Sequence, residues 1–312
     1  MKTGNANHDR ILASARDWAG TDMALATVIQ TWRSAPCPVG THMLVHADGR
    51  FVGSVSGGCV EGDVLHCAAG VIAGAPATLR RYGVADGAAW EVGLPCGGDI
   101  QIFVQPVKAN GFAPDLFDRI IAARTSGQTL YVGTNLDSGH SQLIDPDEDA
   151  PFINAYPPPR RLLIVGAVEI AASLAAIAAS QGFAVTLCDP RARFLTAERF
   201  PGVTLNDSWP DQAVAAFAPD SRTAVVTLSH DPKIDDPALV AALASPAAYV
   251  AALGSRASHA ARCTRLAAAG VSADQLARIE GPAGVAINAI SAPEIALSIA
   301  GGIIRAFNDG LR

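Results

Sequence analysis

The chain has 312 residues, half of them hydrophobic, and a net charge of −6. That length allows two domains with separate cores, and an acidic balance without a basic stripe excludes nucleic acid as the main partner. Six cysteines without the tight spacing of a disulfide framework suit a reducing compartment. The opening Met1-Lys2-Thr3-Gly4-Asn5 has no apolar signal core, so the expected location is cytoplasmic. Residues 170–188, the longest weakly polar stretch, are broken by Ser173, Ser180, Gln181 and Gly182 and read as a helix followed by a strand, not a membrane span.

In chain order, the N-terminal half predicts an α+β unit. Residues 8–20 read as a helix, 24–30 as a strand, and 35–40 as a turn. Strands at 43–46 and 51–55 flank an Asp48-Gly49 hairpin signal. The second strand leads to Gly57-Gly58-Cys59-Val60-Glu61, and 61–73 read as a helix with Glu61 and Asp63 well placed in its first turn. Cys59 then precedes a helix N-terminus, a position that favours a thiolate in general. Cys67, two turns along, reads as a packing residue. A second glycine-framed thiol, Cys96-Gly97-Gly98, follows the apolar run Trp90-Glu91-Val92-Gly93-Leu94. Both cysteines are expected on turns at strand ends, where glycine lets a large ligand approach the sulfur and turn amides attract anions. The competing reading is a pair of inert, buried cysteines.

Tyr156-Pro157-Pro158-Pro159-Arg160 is a stiff linker and divides the chain into domains 1–155 and 160–312. Beyond it, strands at 162–166, 184–189, 223–229 and 248–253 alternate with helices at 168–181, 210–218, 235–244, 256–269 and 292–307. Apolar strands between alanine-rich helices predict a parallel sheet covered on both faces, a Rossmann-like domain. Its phosphate loop departs from G-x-G-x-x-G/A: Gly166-Ala167-Val168-Glu169-Ile170-Ala171 keeps the first glycine, replaces the second with Val168, and adds a negative charge at Glu169. Asp189 is either a ribose-binding carboxylate or an ordinary turn aspartate. His230, at the carboxyl edge of the sheet, is either a ligand residue or a capping or packing histidine. Gly254-Ser255-Arg256 forms an anion candidate at a helix start, with Ser255 or Ser258 as cap; Arg262 and Arg265 read as a solvated basic face. No G-x-S-x-G elbow, C-x-x-C knuckle or H-x-x-x-H helix occurs, and the adjacent Ser229-His230-Asp231 cannot form a relay.

Gly53-Ser54-Val55-Ser56-Gly57-Gly58-Cys59-Val60-Glu61, Leu94-Pro95-Cys96-Gly97-Gly98, Asp189-Pro190-Arg191, Ser229-His230-Asp231-Pro232, Gly254-Ser255-Arg256 and Ala292-Pro293-Glu294-Ile295-Ala296 together resemble the XdhC/CoxI proteins over essentially the whole chain. The resemblance implies a non-enzymatic maturation factor that binds molybdenum cofactor, as molybdopterin or its cytosine dinucleotide. Such a factor protects the cofactor and assists its sulfuration or its insertion into an apo molybdenum hydroxylase of the xanthine or CO dehydrogenase type. It implies a sulfur donor as a further partner, with a homodimer as the expected assembly. The soft metal end suits Cys59 and Cys96, framed by Gly57, Gly58, Gly97 and Gly98. A phosphate or nucleotide end suits Gly166, Asp189, His230, Gly254, Ser255 and Arg256. The chain departs from the family pattern at Val168, at Cys37 where a basic residue is usual, at Gly301-Gly302 where an acid is usual, and at Asn288 where glycine is common. Cys37 reads as a third thiol or as a neutral turn residue. The alternatives are an NAD(P)-dependent Rossmann oxidoreductase, which Val168 disfavours, and a scaffold with a dead nucleotide site.

Overall fold

The computed structural model describes residues 5–32, 37–83 and 98–309. The chain forms two compact units, Met1–Pro158 and Pro159–Arg312, and the break falls within the proline run.

Unit 1 contains α1 (Asn5–Asp17), β1 (Met23–Trp32), β2 (His42–His46), β3 (Phe51–Gly53), α2 (Glu61–Ile72), β4 (Thr78–Tyr82), β5 (Asp99–Pro106), α3 (Asp115–Thr125), β6 (Leu130–Thr134), β7 (Ser141–Ile144) and β8 (Phe152–Tyr156). Among the described residues, an antiparallel sheet runs in the order β3-β2-β1-β5-β4, and a smaller sheet in the order β7-β6-β8. The first six residues of β1 are all buried, because both faces of the larger sheet are covered. Val64, Ala68 and Val71 of α2 sit against Ala26, Val28, Ile102 and Val104. On the other face Ile11, Leu12, Phe117 and Ile120 of α1 and α3 meet Leu25 and Leu44.

A buried polar cluster links β1, β2 and β8. One neutral tautomer of His42 fits its contacts there: Nδ1–H donates to Thr27 Oγ1 at 2.9 Å, while Nε2 accepts from the Tyr156 hydroxyl at 2.8 Å and Asn154 Nδ2 at 3.0 Å. Burial holds both His42 and the adjacent His8 in the neutral form, with His8 pulled down to about 4.

Unit 2 contains β9 (Arg160–Val165), α4 (Glu169–Ser180), β10 (Phe183–Cys188), β11 (Thr204–Asn206), α5 (Pro210–Phe217), β12 (Thr223–Thr227), α6 (Pro232–Leu243), β13 (Tyr249–Ala252), α7 (Arg256–Ala268), α8 (Ala273–Ala277), β14 (Ile279–Glu280) and α9 (Ala292–Asp309). The sheet order is β11-β10-β9-β12-β13-β14, with parallel pairing throughout. Every residue of β12 and β13 is buried, as a sheet covered on both faces requires. Ala171, Leu174, Ala175 and Ala178 recur at helical spacing on α4 and press that helix and α9 onto one face. Helices α5, α6 and α7 cover the other. The four strands and five helices expected here are all present. The edge strands β11 and β14, three and two residues long, and the five-residue α8 are additional.

Candidate cofactor-binding site

In unit 1, β3 ends at Gly53, earlier than expected, and residues 54–60 form the turn that carries Cys59 into α2. The organiser of that turn is Glu61, the first residue of α2 and only 9% exposed. Its Oε1 accepts from Ser54 Oγ (2.5 Å), Val55 N (3.1 Å) and Ser56 N (2.9 Å), and its Oε2 accepts from Ser56 Oγ (2.5 Å) and Gly58 N (2.8 Å). The same hydroxyls accept in turn, Ser54 Oγ from Gly57 N and Ser56 Oγ from Val60 N, each at 2.9 Å. Gly57 and Gly58 have φ of 75° and 114°, so the tight closure needs glycine at both. Burial pushes the Glu61 carboxyl up, but the hydrogen bonds from Ser54, Ser56 and the loop amides outweigh it and bring it down to about 2.

This arrangement corrects one expectation. The amides of Val55, Ser56 and Gly58 do not await an external anion, because the Glu61 carboxylate already occupies the nest they form. The loop is a rigid mount for a thiol. Cys59 stands exposed on it, while Cys67 packs against the core as expected. Glu61 reads from sequence as a first-turn acid; the signal for its real role is two serines and two glycine amides within seven residues upstream.

The sheet register places the neighbouring segments. Gly53 pairs with Met43 and Met43 with Ala26, while Asp99 pairs with Trp32 and Tyr82 with Ile100. The end of β3, the start of β2, the end of β1, the end of β4 and the start of β5 therefore lie at one end of the sheet. The Cys59 turn and Gly98, which immediately precedes β5 and is buried, share that end. Cys96 and Gly97 lie outside the described residues.

In unit 2 the remaining predicted residues gather at the carboxyl edge of four adjacent parallel strands: Gly166 after β9, Asp189 after β10, His230 after β12, and Gly254, Ser255 and Arg256 after β13. The loops after β9 and β12 touch. A Cβ on Gly166, whose φ is +107°, would lie 2.7 Å from Ser229 N. The three amides of the phosphate-loop turn have partners: Gly166 N donates to Cys188 O, Ala167 N to Asp189 Oδ2 at 2.8 Å, and Val168 N to Gly166 O. Asp189 is fully buried and also accepts from the Arg191 backbone and guanidinium at 2.7–2.9 Å. Burial raises its carboxyl, yet those bonds hold it below the usual range. Its oxygens thus serve the turn. Val168 packs on the sheet core and Glu169 is exposed.

His230 is exposed and held at φ 62°. The residue that sequence reading missed here is Asp235, only 2% exposed. Its Oδ1 accepts from Ser229 Oγ at 2.6 Å and Ser229 N at 3.3 Å, and Ser229 Oγ accepts from Asp231 N at 3.1 Å. Burial raises the Asp235 carboxyl, against the bonds from Ser229 and the nearby positive groups. Ser255 caps α7 through Ser258 N at 3.1 Å, and Arg256 is exposed. Arg262, expected on a solvated face, is instead 4% exposed and donates to Leu253 O at 2.7 Å; Arg265 pairs with Asp236.

Two family models match the chain, the XdhC and CoxI family over residues 18–83 and the XdhC Rossmann domain over residues 162–303. The chain belongs to the XdhC and CoxI family. Its relatives include the Escherichia coli (strain K12) molybdenum cofactor insertion chaperone PaoD, 29% identical over 289 residues that cover 90% of this chain and 82% of that protein. Another is a probable xanthine dehydrogenase subunit of Bacillus subtilis (strain 168), 26% identical and covering 91% of this chain and 93% of that one. The crystal structure of a Bacillus halodurans protein described as a xanthine dehydrogenase shares the fold, with a TM-score of 0.83 over 97% of this chain and 96% of that one at 24% identity.

Two departures from the XdhC/CoxI pattern have local explanations. Asn288 sits at φ 56°, a left-handed position where glycine is favoured and asparagine tolerated. A Cβ on Gly302 would lie 2.7 Å from both Glu280 Oε1 and Tyr249 Oη. The Glu280 carboxylate, which accepts from Tyr249 Oη at 2.9 Å, Gly284 N at 2.9 Å and Arg305 at 2.5 Å, occupies that space. An acid therefore stands in front of the last helix, supplied from β14.

Proposed function

We propose that this protein is a maturation factor that binds molybdenum cofactor and delivers it to an apo molybdenum hydroxylase. The observation that carries the reading is the Cys59 thiol, exposed on a turn made rigid by Glu61, in a chain of this family. A soft thiolate suits a soft, sulfur-rich metal centre. The donor set fits that end of the cofactor, with Cys59 and Cys96 as the proposed ligands. When bound, the cofactor supplies the metal centre that the client enzyme uses. The chain's own residues bind and orient it: Cys59 holds the metal end, and Glu61 keeps the loop from collapsing around it.

Unit 2 is read by itself as a phosphate or nucleotide site, with His230, Gly254, Ser255 and Arg256 at the sheet edge as the proposed contacts and Arg256 offering a two-pronged donor. The oxidoreductase alternative is disfavoured because Val168 stands where the second glycine would be and Glu169 adds a negative charge at the start of α4. Calorimetry with the four nicotinamide nucleotides should show no binding tighter than about millimolar, roughly −4 kcal/mol; micromolar binding would revive that alternative. A sulfur donor as second partner, a homodimeric assembly and a cytoplasmic location belong to the same proposal. No helix among the described residues is long and apolar enough to cross a membrane.

The test is co-expression with the cofactor pathway, followed by molybdenum and pterin analysis of the purified protein. Cys59→Ala and Cys96→Ala should each lower retained molybdenum at least tenfold and abolish client maturation, with circular dichroism unchanged. If both variants retain the metal and mature the client normally, the thiol-ligand reading is wrong.

A further inference from the structure

A second thiol stands at the base of the Cys59 turn. Cys37 belongs to the connection between β1 and β2, which the register places at the same end of the sheet as residues 54–60. Its Sγ–H donates to the Ser54 carbonyl at 3.7 Å, and its sulfur also lies against the Gly57 backbone. The sulfur thus touches the first and fourth residues of the turn. Cys59 is two residues beyond Gly57, so its Cα lies within about 7.6 Å of the Gly57 Cα. Cys37 is half-buried, with one flank on the core, whereas Cys59 is exposed.

We propose that Cys37 and Cys59 form a two-thiol site for one soft, thiophilic metal centre, with Cys37 the inner and Cys59 the outer ligand. The inference rests on the reading that the Cys59 turn holds such a centre. An ion at the usual metal–sulfur distance of about 2.3 Å requires two sulfurs roughly 4 Å apart, so the proposed site closes when the exposed Cys59 side chain turns toward Cys37. A metal bound at the inner ligand takes the place of the thiol proton, which passes to solvent, and the Ser54 carbonyl loses its thiol donor. Glu61 fixes both sides of the site: it holds Ser54, Ser56 and Gly58, and through them the turn that separates the two sulfurs.

The site is tested on the full reduced chain with cadmium ion as the probe, following the sulfur-to-cadmium charge-transfer absorbance. The wild-type protein is compared with Cys37→Ser, Cys59→Ser, Cys96→Ser and, as a control, Cys67→Ser. Cys37→Ser and Cys59→Ser should each weaken cadmium binding at least tenfold and remove about one thiolate's share of the absorbance. Cys67→Ser should match the wild type. Serine keeps a donor for Ser54, and amide-exchange protection at Ser56 and Gly58 checks that the turn is intact. A Cys37→Ser protein with an intact turn that titrates like the wild type overturns the proposal. If Cys59→Ser alone weakens binding, the two-thiol site fails while the reading of Cys59 stands; if neither substitution matters, both fail.

Discussion

Replacing Glu61 with glutamine isolates what holds the Cys59 turn together. The carboxylate accepts five hydrogen bonds from the turn. An amide offers one acceptor oxygen and turns an NH2 group toward donors, so several of those groups lose their partner. The magnitude follows from the carboxyl, which sits at about 2 against an ordinary 4.5. That difference corresponds to about 3 kcal/mol favouring the closed turn. The sign is that of a depressed carboxylate. The contribution is complete above the ordinary value, is lost as pH falls from about 4.5 to 2, and is absent below that. Native-state amide exchange, referenced to intrinsic rates, reads it at Val55, Ser56 and Gly58. Glu61→Gln at pH 7 should lower protection there roughly a hundredfold, at about 1.4 kcal/mol per tenfold, while the amides of β12 in the other unit are unchanged. The wild-type turn should lose the same protection between pH 4.5 and 2, provided the rest of the unit persists. Protection in Glu61→Gln within about twofold of the wild type at those three amides would refute the reasoning.

Gly166→Ala places a methyl group 2.7 Å from Ser229 N at a φ of +107°; steric strain of about 2 kcal/mol or more should lower the melting temperature by roughly 5 °C, and an unchanged melt in calorimetry would mean that the loops after β9 and β12 separate freely. His8 is buried and neutral at about 4 against 6.5. The unfolded chain takes up that proton first, so His8 has no such effect above pH 6.5 and destabilises unit 1 by about 3 kcal/mol once pH reaches 4. His8→Phe should flatten the urea-derived stability profile between pH 7 and 4 by that amount, and an identical acid slope would show that His8 ionises freely in the fold.

Much of this protein was legible in its sequence because the signals were local. Fully apolar runs such as Leu162-Leu163-Ile164-Val165 specify strands buried on both faces, alanine spacing on residues 169–180 specifies a helix that packs closely, and the proline run at 157–159 marks the division into units. Strand-end residues fall at one sheet edge because parallel pairing leaves no other arrangement, so the neighbourhood of Gly166, Asp189, His230 and Gly254 follows once the topology is known. The tertiary structure alone decided which polar groups face ligands and which face the protein. Glu61 reads only as a first-turn acid, and Asp189 as either a ribose-binding carboxylate or a turn aspartate; each turns into its own loop. There the desolvation of a carboxylate is offset only by several converging donors, and these come from residues brought near by folding. Arg262 and Asp235 are buried for the same reason, since their environment is set by the loops that cover them. Cys37 and Cys59 lie 22 residues apart in the chain but border one turn, because the β1–β2 connection and the turn after β3 meet at the same end of an antiparallel sheet. Periodicity shows which face of a strand is buried; it does not show which loops meet at the strand ends, and here the candidate chemistry lies in those loops.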